Sequence, residues 1–551
     1  MKKVLILCVL AVFAVTLYAA CATDDAPAPP APGEAAPAPE APAEPAEPAV
    51  EGDEIGTFPV SGNRTVTWWE ALPGNIAPNF VTMGDTPFAE ALQEQSGVTI
   101  EFMHPPAGQA VEALTLMIVA GDLPDIIFQN WLTVFVGGPG RAIEDGVIMP
   151  LNDVFARYAP HTLYTLEVQN PEWGRLTRTD DGYYYAFPFV RGDPLLQVFR
   201  GPFFRADWLE ELGMDVPVTI AEWEEVLIAF RDEMGAQTPF TPRTDVVLYN
   251  CPIAAAHGLR LGLGRNAQGR VNFGWVEPEM FDYLVVMNRW FEMGLLDPDI
   301  ATMTGDIFNA RFTAGMTGAG HFNVGAGIGV LLNAMLDDPV FDIVAAPNPV
   351  LQRGQVPVLG QYEFPFTGLG AAITTQVGDL EAAARLLDFA FSPEGHILYN
   401  FGVEGRDFIW ENGFPRYTEA ITNHPEGWPM AQSISAVARS AFHGPFVQDP
   451  DYMVQFQQWP QQVHALQTWM QHATGTRILP PLTPTPDESA RVAVLLSDID
   501  TFVNEMYFSF VMGHTELTQA NFDSFVANVF ALGLQEVLDI QQTALDRFMN
   551  R

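Results

Sequence analysis

The sequence predicts an α/β protein folded as two lobes. Strand and helix patterns alternate along it, and the stretch from 57 to 551 is too long for one small hydrophobic core. Beyond the N-terminal leader no apolar run reaches the ~20 residues that a bilayer crossing takes, so the body is expected to be soluble.

The alternation begins at Arg64-Thr-Val-Thr-Trp-Trp-Glu70, whose apolar positions alternate as in a strand. Thr86-Pro87 opens a helix, with a capping hydroxyl ahead of a first-turn proline. Val98-Thr-Ile-Glu-Phe102 reads as the next strand. A helix after Gly108 places Val111, Leu114, Met117 and Ile118 on one face, stops at Gly121-Asp122 and leads into the strand Asp125-Ile-Ile-Phe128. Such an order implies a parallel lobe. Further on, Thr219-Ile-Ala-Glu222 is a capping box with Trp223, Val226, Leu227 and Phe230 at helical spacing behind it. Phe281, Leu284, Val285, Trp290 and Phe291 form a second stripe, ended by Gly294 and Pro298. Residues 316–329 are glycine-rich and predict a strand and a loop; 368–374 predict a strand, 380–391 a helix, and the chain from 488 onward mostly helix. No internal repeat of fixed period is present.

Lys2 and Lys3, an apolar run from Val4 to Leu17 and the small residues Ala19 and Ala20 read as a secretory signal over 1–20. Of the three cysteines, Cys8 leaves with the signal, Cys21 sits at its end and Cys251 stands alone in the body, so no internal disulfide framework is expected. Cys21 resembles the modified cysteine of a bacterial lipobox, with Tyr18 where that motif ordinarily has a leucine-like residue. Residues 21–56 then supply the lipidated cysteine and an Ala/Pro/acidic tether that buries too little apolar surface to fold. With 67 acidic against 26 basic side chains and a net charge of −41, the chain repels phosphate backbones, which excludes nucleic acid as a partner.

Gly121-Asp-Leu-Pro-Asp-Ile-Ile127, Arg205-Ala-Asp-Trp-Leu-Glu-Glu-Leu-Gly213, Gly294-Leu-Leu-Asp-Pro-Asp299 and Gly402-Val-Glu-Gly-Arg406 resemble, in the same order, the family 1 extracellular solute-binding proteins. More narrowly they resemble its lipoprotein branch of aldouronate and oligosaccharide binders, from about Val66 to the C-terminus. The resemblance implies a type II periplasmic-binding fold, in which two α/β lobes joined by hinge strands close over a ligand. It implies crossings near 187–192 and 362–370, with lobe 1 over 57–189 and 366–412, lobe 2 over 190–365 and 413–551, and the tail mainly on lobe 2. It also implies a monomer held outside the cytoplasm by its lipid, handing a small solute to ABC permease subunits.

In open α/β sheets ligands bind beyond the carboxyl ends of the strands. Candidates there are Trp69 and Glu70, Asn130 and Trp131, Phe322 and Asn323 after the glycine-rich strand, and Tyr362 and Glu363 at the return crossing; Arg191, Arg406 and Trp410 complete the set. Rings beside hydrogen-bonding side chains suit a sugar, whose C–H faces stack while its hydroxyls need donors and acceptors. Trp208, Trp223 and Trp290 belong to helical stripes and read as core. His-Glu-x-x-His, Cys-x-x-Cys and Gly-x-Ser-x-Gly are absent, and the histidines lack metal-ligand spacing, so neither cofactor nor metal is expected. Gly325-Ala-Gly-Ile-Gly329 reads as close backbone packing near the cleft rather than a dinucleotide loop. Two other classes remain open: a secreted glycoside hydrolase using Glu70 and Glu363, and a surface lipoprotein without transport function.

Overall fold

The computed structural model describes residues 53–551; the expected signal over 1–20, Cys21 and most of the tether lie outside the described residues. The first strand, β1 (Arg64–Trp69), pairs in parallel with β2 (Val98–Met103) and with β3 (Ile126–Asn130). Between them run α1 (Pro87–Ser96) and α2 (Ala110–Ala120). The Thr86 side chain accepts from the Ala89 N–H at the head of α1, and Gly121 ends α2 in the left-handed conformation.

Side chains alternate across this sheet, and both faces are covered. Val66, Trp68, Ile126 and Phe128 enter one core with α1, while Trp69, Ile127 and Trp131 enter another with Leu114. Both expected strand-end tryptophans are therefore packed, on opposite faces.

The chain leaves this sheet after β4 (Phe187–Pro188) and enters a second sheet at β5 (Arg200–Arg205). There β5 lies between β6 (Ala319–Asn323) and β7 (Ile343–Ala345), antiparallel to both. Between β5 and β6 come α3 (Ile220–Asp232), which carries the expected capping box, and α4 (Glu279–Glu292). The chain returns at β8 (Leu369–Ile373), which inserts antiparallel between β3 and β4 to give the order β2-β1-β3-β8-β4. Then α5 (Leu380–Phe389) covers the first sheet.

Instead of the expected loop, Val324–Gly329 forms a π-helical turn. Its glycines allow the close packing that the spacing suggests: a Cβ on Gly325 would stand 2.7 Å from the Phe456 ring, and one on Gly327 2.5 Å from Phe322. The 412 boundary drawn on the sequence falls inside a hairpin, β9 (Phe408–Glu411) with β10 (Phe414–Tyr417). Phe408 and Tyr417 share a core with Phe203 of the second sheet.

The C-terminal helices α6 (Pro486–Val511), α7 (Gln519–Ala531) and α8 (Leu534–Met549) pack in the core that holds Trp223, Tyr283 and Trp290. The tip of α8 reaches the first lobe, where Phe548 joins the core of Trp131 and Arg547 pairs with Asp180 at 2.7 Å.

Trp131 follows the last strand residue, but its backbone N–H still donates to Gly368 O at 3.0 Å, and its ring has no exposed surface. Placing it against ligand is therefore corrected to a packing role. Trp131→Ala is expected to lower unfolding free energy by about 3–5 kcal/mol in chemical denaturation, because the cavity left cannot collapse.

Candidate functional site

A cleft of about 530 Å³ opens between the loop after β1, represented by Gly74 and Asn75, and the turn after β6. The segment between 429 and 462 lines much of the remainder, with Arg191 and Phe199 from the outgoing crossing. Two kinds of side chain dominate its surface. Phe199, Phe442, Tyr452, Phe456 and Trp459 supply rings; Asn75, Asn323, Asn333, Gln432, Gln448 and Gln462 supply amides. Among the described residues Arg191 is the one charged side chain on this wall.

Four of these amides are held by the surrounding chain. Asn75 Nδ2 donates to Ser435 Oγ at 3.2 Å, Gln448 Nε2 to Ser440 O at 2.6 Å and Gln462 Nε2 to Val324 O at 3.0 Å. Asn323 Oδ1 accepts from Arg200 Nε at 2.6 Å, and that guanidinium also reaches Asp245 at 3.1 Å. Burial pushes the Tyr452 hydroxyl up to about 12, so it stays a neutral donor and acceptor.

Of the residues singled out by sequence, Arg191 and Asn323 stand on this wall. Glu363 lies just outside this lining, accepting from Arg191 Nη1 at 2.5 Å. The others have different surroundings. Trp69 is core, and Phe322 is buried beneath the Arg243 guanidinium, 4.5 Å from its ring. Asn130 braces the strand end, donating to Thr367 O and accepting from Leu132 N–H, each at 3.1 Å. Tyr362 packs against Phe364 and Gly475. Arg406 pairs with Asp407 at a separate depression that includes Glu90 and Glu94, and Trp410 is exposed on the hairpin. Trp131, as described, is sealed in the first lobe.

Glu70 acts at one remove. Its carboxylate accepts from both terminal nitrogens of Arg439, at 3.1 and 2.8 Å, with the two side chains 2% and 4% exposed. Arg439 Nε in turn donates to His443 O at 3.0 Å. This ion pair fixes the turn that puts Ala441 and Phe442 on the cleft wall, so Glu70 positions the site without touching its contents. His443 is enclosed by Phe128, Phe189 and Phe442; burial, with Arg439 and Arg191 adding to it, pushes its imidazole down to about 3.

Phe442, Phe456 and Trp459 were not visible as site residues, because they follow no strand. For Phe456 and Trp459 the signal is compositional: Gln455-Phe-Gln-Gln-Trp-Pro-Gln-Gln462 pairs rings with amides as densely as any strand end in the chain.

The chain matches the family described as bacterial extracellular solute-binding protein over residues 84–397, more than half its length. It is 27% identical over 190 residues to the fructooligosaccharide ABC transporter substrate-binding protein FusA of Streptococcus pneumoniae, an alignment spanning 32% of either chain. To lipoprotein LipO of Bacillus subtilis it is 22% identical over 392 residues, 65% of this chain and 71% of LipO. Among solved structures, the alginate-binding protein AlgQ2 without calcium ion superposes with TM-score 0.74 at 22% identity, covering 90% of this chain and 100% of that one. FusA in complex with kestose gives TM-score 0.71 at 18% identity, covering 88% and 100%. An HMO-binding, ABC-transporter-associated solute-binding protein of Bifidobacterium longum infantis gives 0.70 at 18% identity, covering 89% and 99%. These likenesses establish the two-lobed α/β fold. Among the described residues no three or more His, Cys, Asp or Glu side chains group as a metal site, and no helix is long and apolar enough to cross a membrane.

Two outcomes follow. Glu70→Ala should destabilise the protein by about 3–5 kcal/mol, since it strands a buried guanidinium, and Glu70→Leu with Arg439→Met should recover much of that loss in the same denaturation assay. The unfolded chain takes up a proton on His443 near 6.5, where the folded protein does not, so this group's share of stability is complete above that pH and is lost as pH falls towards about 3. His443→Leu should therefore flatten the rise of unfolding free energy between about pH 4 and 6, by up to about 1.4 kcal/mol per pH unit.

Proposed function

The chain belongs to the bacterial extracellular solute-binding proteins, and from that premise we propose that it captures an oligosaccharide in the cleft and delivers it to the permease of an ABC importer. The observation that carries this reading is the composition of the wall: aromatic faces beside neutral amides. A pyranose or furanose ring offers C–H faces to the former, and its hydroxyls find in each amide both a donor and an acceptor. FusA is named for fructooligosaccharides and was solved with kestose, which favours the same ligand class here.

Capture works by closure. The two sheets are joined by strand crossings, and a ligand touching Asn75 on one side and Asn323 on the other favours the closed arrangement by its contacts to both. Energy for uptake comes from a separate ATPase. The protein acts as a monomer, tethered outside the cytoplasm by lipid on Cys21 with 21–56 as spacer; the kinship with lipoprotein LipO supports that placement.

The protein performs no hydrolysis in this reading. A glycoside hydrolase needs two carboxyl groups facing its substrate. Glu70 is sealed against Arg439, Glu363 is engaged by Arg191, and among the described residues no Asp or Glu lines the cleft.

The test is a thermal-shift and tryptophan-fluorescence titration of the purified protein with a panel of oligosaccharides, followed by an assay for new reducing ends. Saturable stabilisation without product is expected. Steady product formation, or indifference to every sugar, would overturn the proposal. Phe442→Ala should weaken the best ligand about 5- to 150-fold, the loss of ~1–3 kcal/mol of stacking and apolar burial.

A further inference from the structure

We infer that Glu363 is a specificity-determining residue: by neutralising Arg191 it makes the cleft a receptor for neutral oligosaccharides and turns away uronic acid sugars. The inference rests on the sugar-binding reading above and adds the charge class of the ligand.

Charge is distributed unevenly between the cleft and the rest of the chain. The chain carries 67 acidic side chains, yet among the described residues none lines the cleft, and its one charged side chain there is a cation. A lone guanidinium on a wall of amides and rings would be a carboxylate receptor, because its planar donors fit a carboxylate and nothing else nearby competes. Glu363 removes that option. It accepts from Arg191 Nη1 at 2.5 Å, from just outside the lining, with the two side chains 25% and 34% exposed.

The pairing is built into the backbone. Arg191 N–H donates to Pro365 O at 2.8 Å, and Glu363 N–H donates to Gln197 O at 3.0 Å, while Gln197 Nε2 donates back to Arg191 O at 2.9 Å. Arg191 is also flanked by two rings, with its guanidinium carbon 5.1 Å from the Phe189 centroid and 5.3 Å from that of Phe199. Both charges are thus held in register by the crossings themselves, and a ligand carboxylate approaching the remaining donors of the guanidinium would meet the Glu363 charge already seated on Nη1.

One layer behind, the same carboxylate meets a second demand. Arg200, which holds Asn323 in place, shares Asp245 with Arg243, at 3.1 and 2.9 Å. Two guanidinium groups therefore divide one aspartate, and the field of Glu363 also acts on Arg200. Removing the Glu363 charge would leave Arg191 unpaired and the three guanidinium groups of Arg191, Arg200 and Arg243 with the single carboxylate of Asp245 among them.

The experiment compares a neutral oligosaccharide that binds the protein with its analogue ending in a uronate, by calorimetry at two salt concentrations. The wild-type protein is expected to prefer the neutral sugar about tenfold or more, with little salt dependence. Glu363→Gln should improve uronate affinity about tenfold or more and make it fall with salt, and adding Arg191→Gln should erase that gain. Arg191→Gln alone leaves Glu363 unneutralised and should sharpen rejection of the uronate, which keeps the inference testable if Glu363→Gln folds poorly. Equal wild-type affinity for both sugars, or a Glu363→Gln protein that binds the neutral sugar with an unchanged preference, would overturn the inference while leaving sugar capture standing. Failure of every sugar, neutral or acidic, would overturn both.

Discussion

Two passages of chain must run side by side for this architecture to exist. Because β8 inserts between β3 and β4, the outgoing and returning crossings emerge next to each other at one place in the first sheet. They are bonded along their length: Phe189 N–H to Leu369 O at 2.9 Å and Arg191 N–H to Pro365 O at 2.8 Å. A further stretch joins them, with Val190 N–H donating to Phe446 O at 3.0 Å and Gln448 N–H to Val190 O at 2.8 Å. Backbone groups here would otherwise be unpaired between two cores, and that requirement draws the segments together. The cleft opens beside this junction, so its polar floor follows from the same constraint that joins the lobes.

The electrostatic design separates surface from site. A net charge of −41 disfavours anionic partners at long range, but it cannot choose among neutral ones. Choice among those falls to the wall, where Asn75, Asn323, Gln448 and Gln462 are fixed by neighbours and Phe442 is held in place by an ion pair sealed from water. Such a pair adds little net stability compared with apolar packing, whereas breaking it is expensive. Its use here is geometric: Arg439 cannot leave Glu70, so the turn carrying Phe442 cannot drift.

Much of the scaffold was legible in the sequence because its signals are local. Thr219 and Glu222 cap α3 from three residues apart, Thr86 and Pro87 begin α1, and Val66 and Trp68 alternate with their neighbours across β1. The site was less legible because its parts meet only through tertiary packing. A carboxylate at the end of β1 looks ready for a ligand until Arg439, far along the chain, is seen to occupy it. Trp131 follows a strand and looks exposed, yet its backbone continues pairing with Gly368 and its ring turns into the core. Conversely, the rings at Phe442, Phe456 and Trp459 lie outside the strand-end rule, on a segment whose place is set by the crossings. Arg191 and Asn323 were legible as positions on the cleft wall, because the expected crossing and the expected strand end both open onto it.

The most direct measurement is a crystal structure of the protein grown with the neutral oligosaccharide that stabilises it most. The account predicts sugar density stacked against Phe442 or Trp459, with hydroxyls on Asn323 and Gln432 and the Arg191–Glu363 pair intact. Density lodged elsewhere, or a sugar that breaks that pair to claim Arg191, would contradict it.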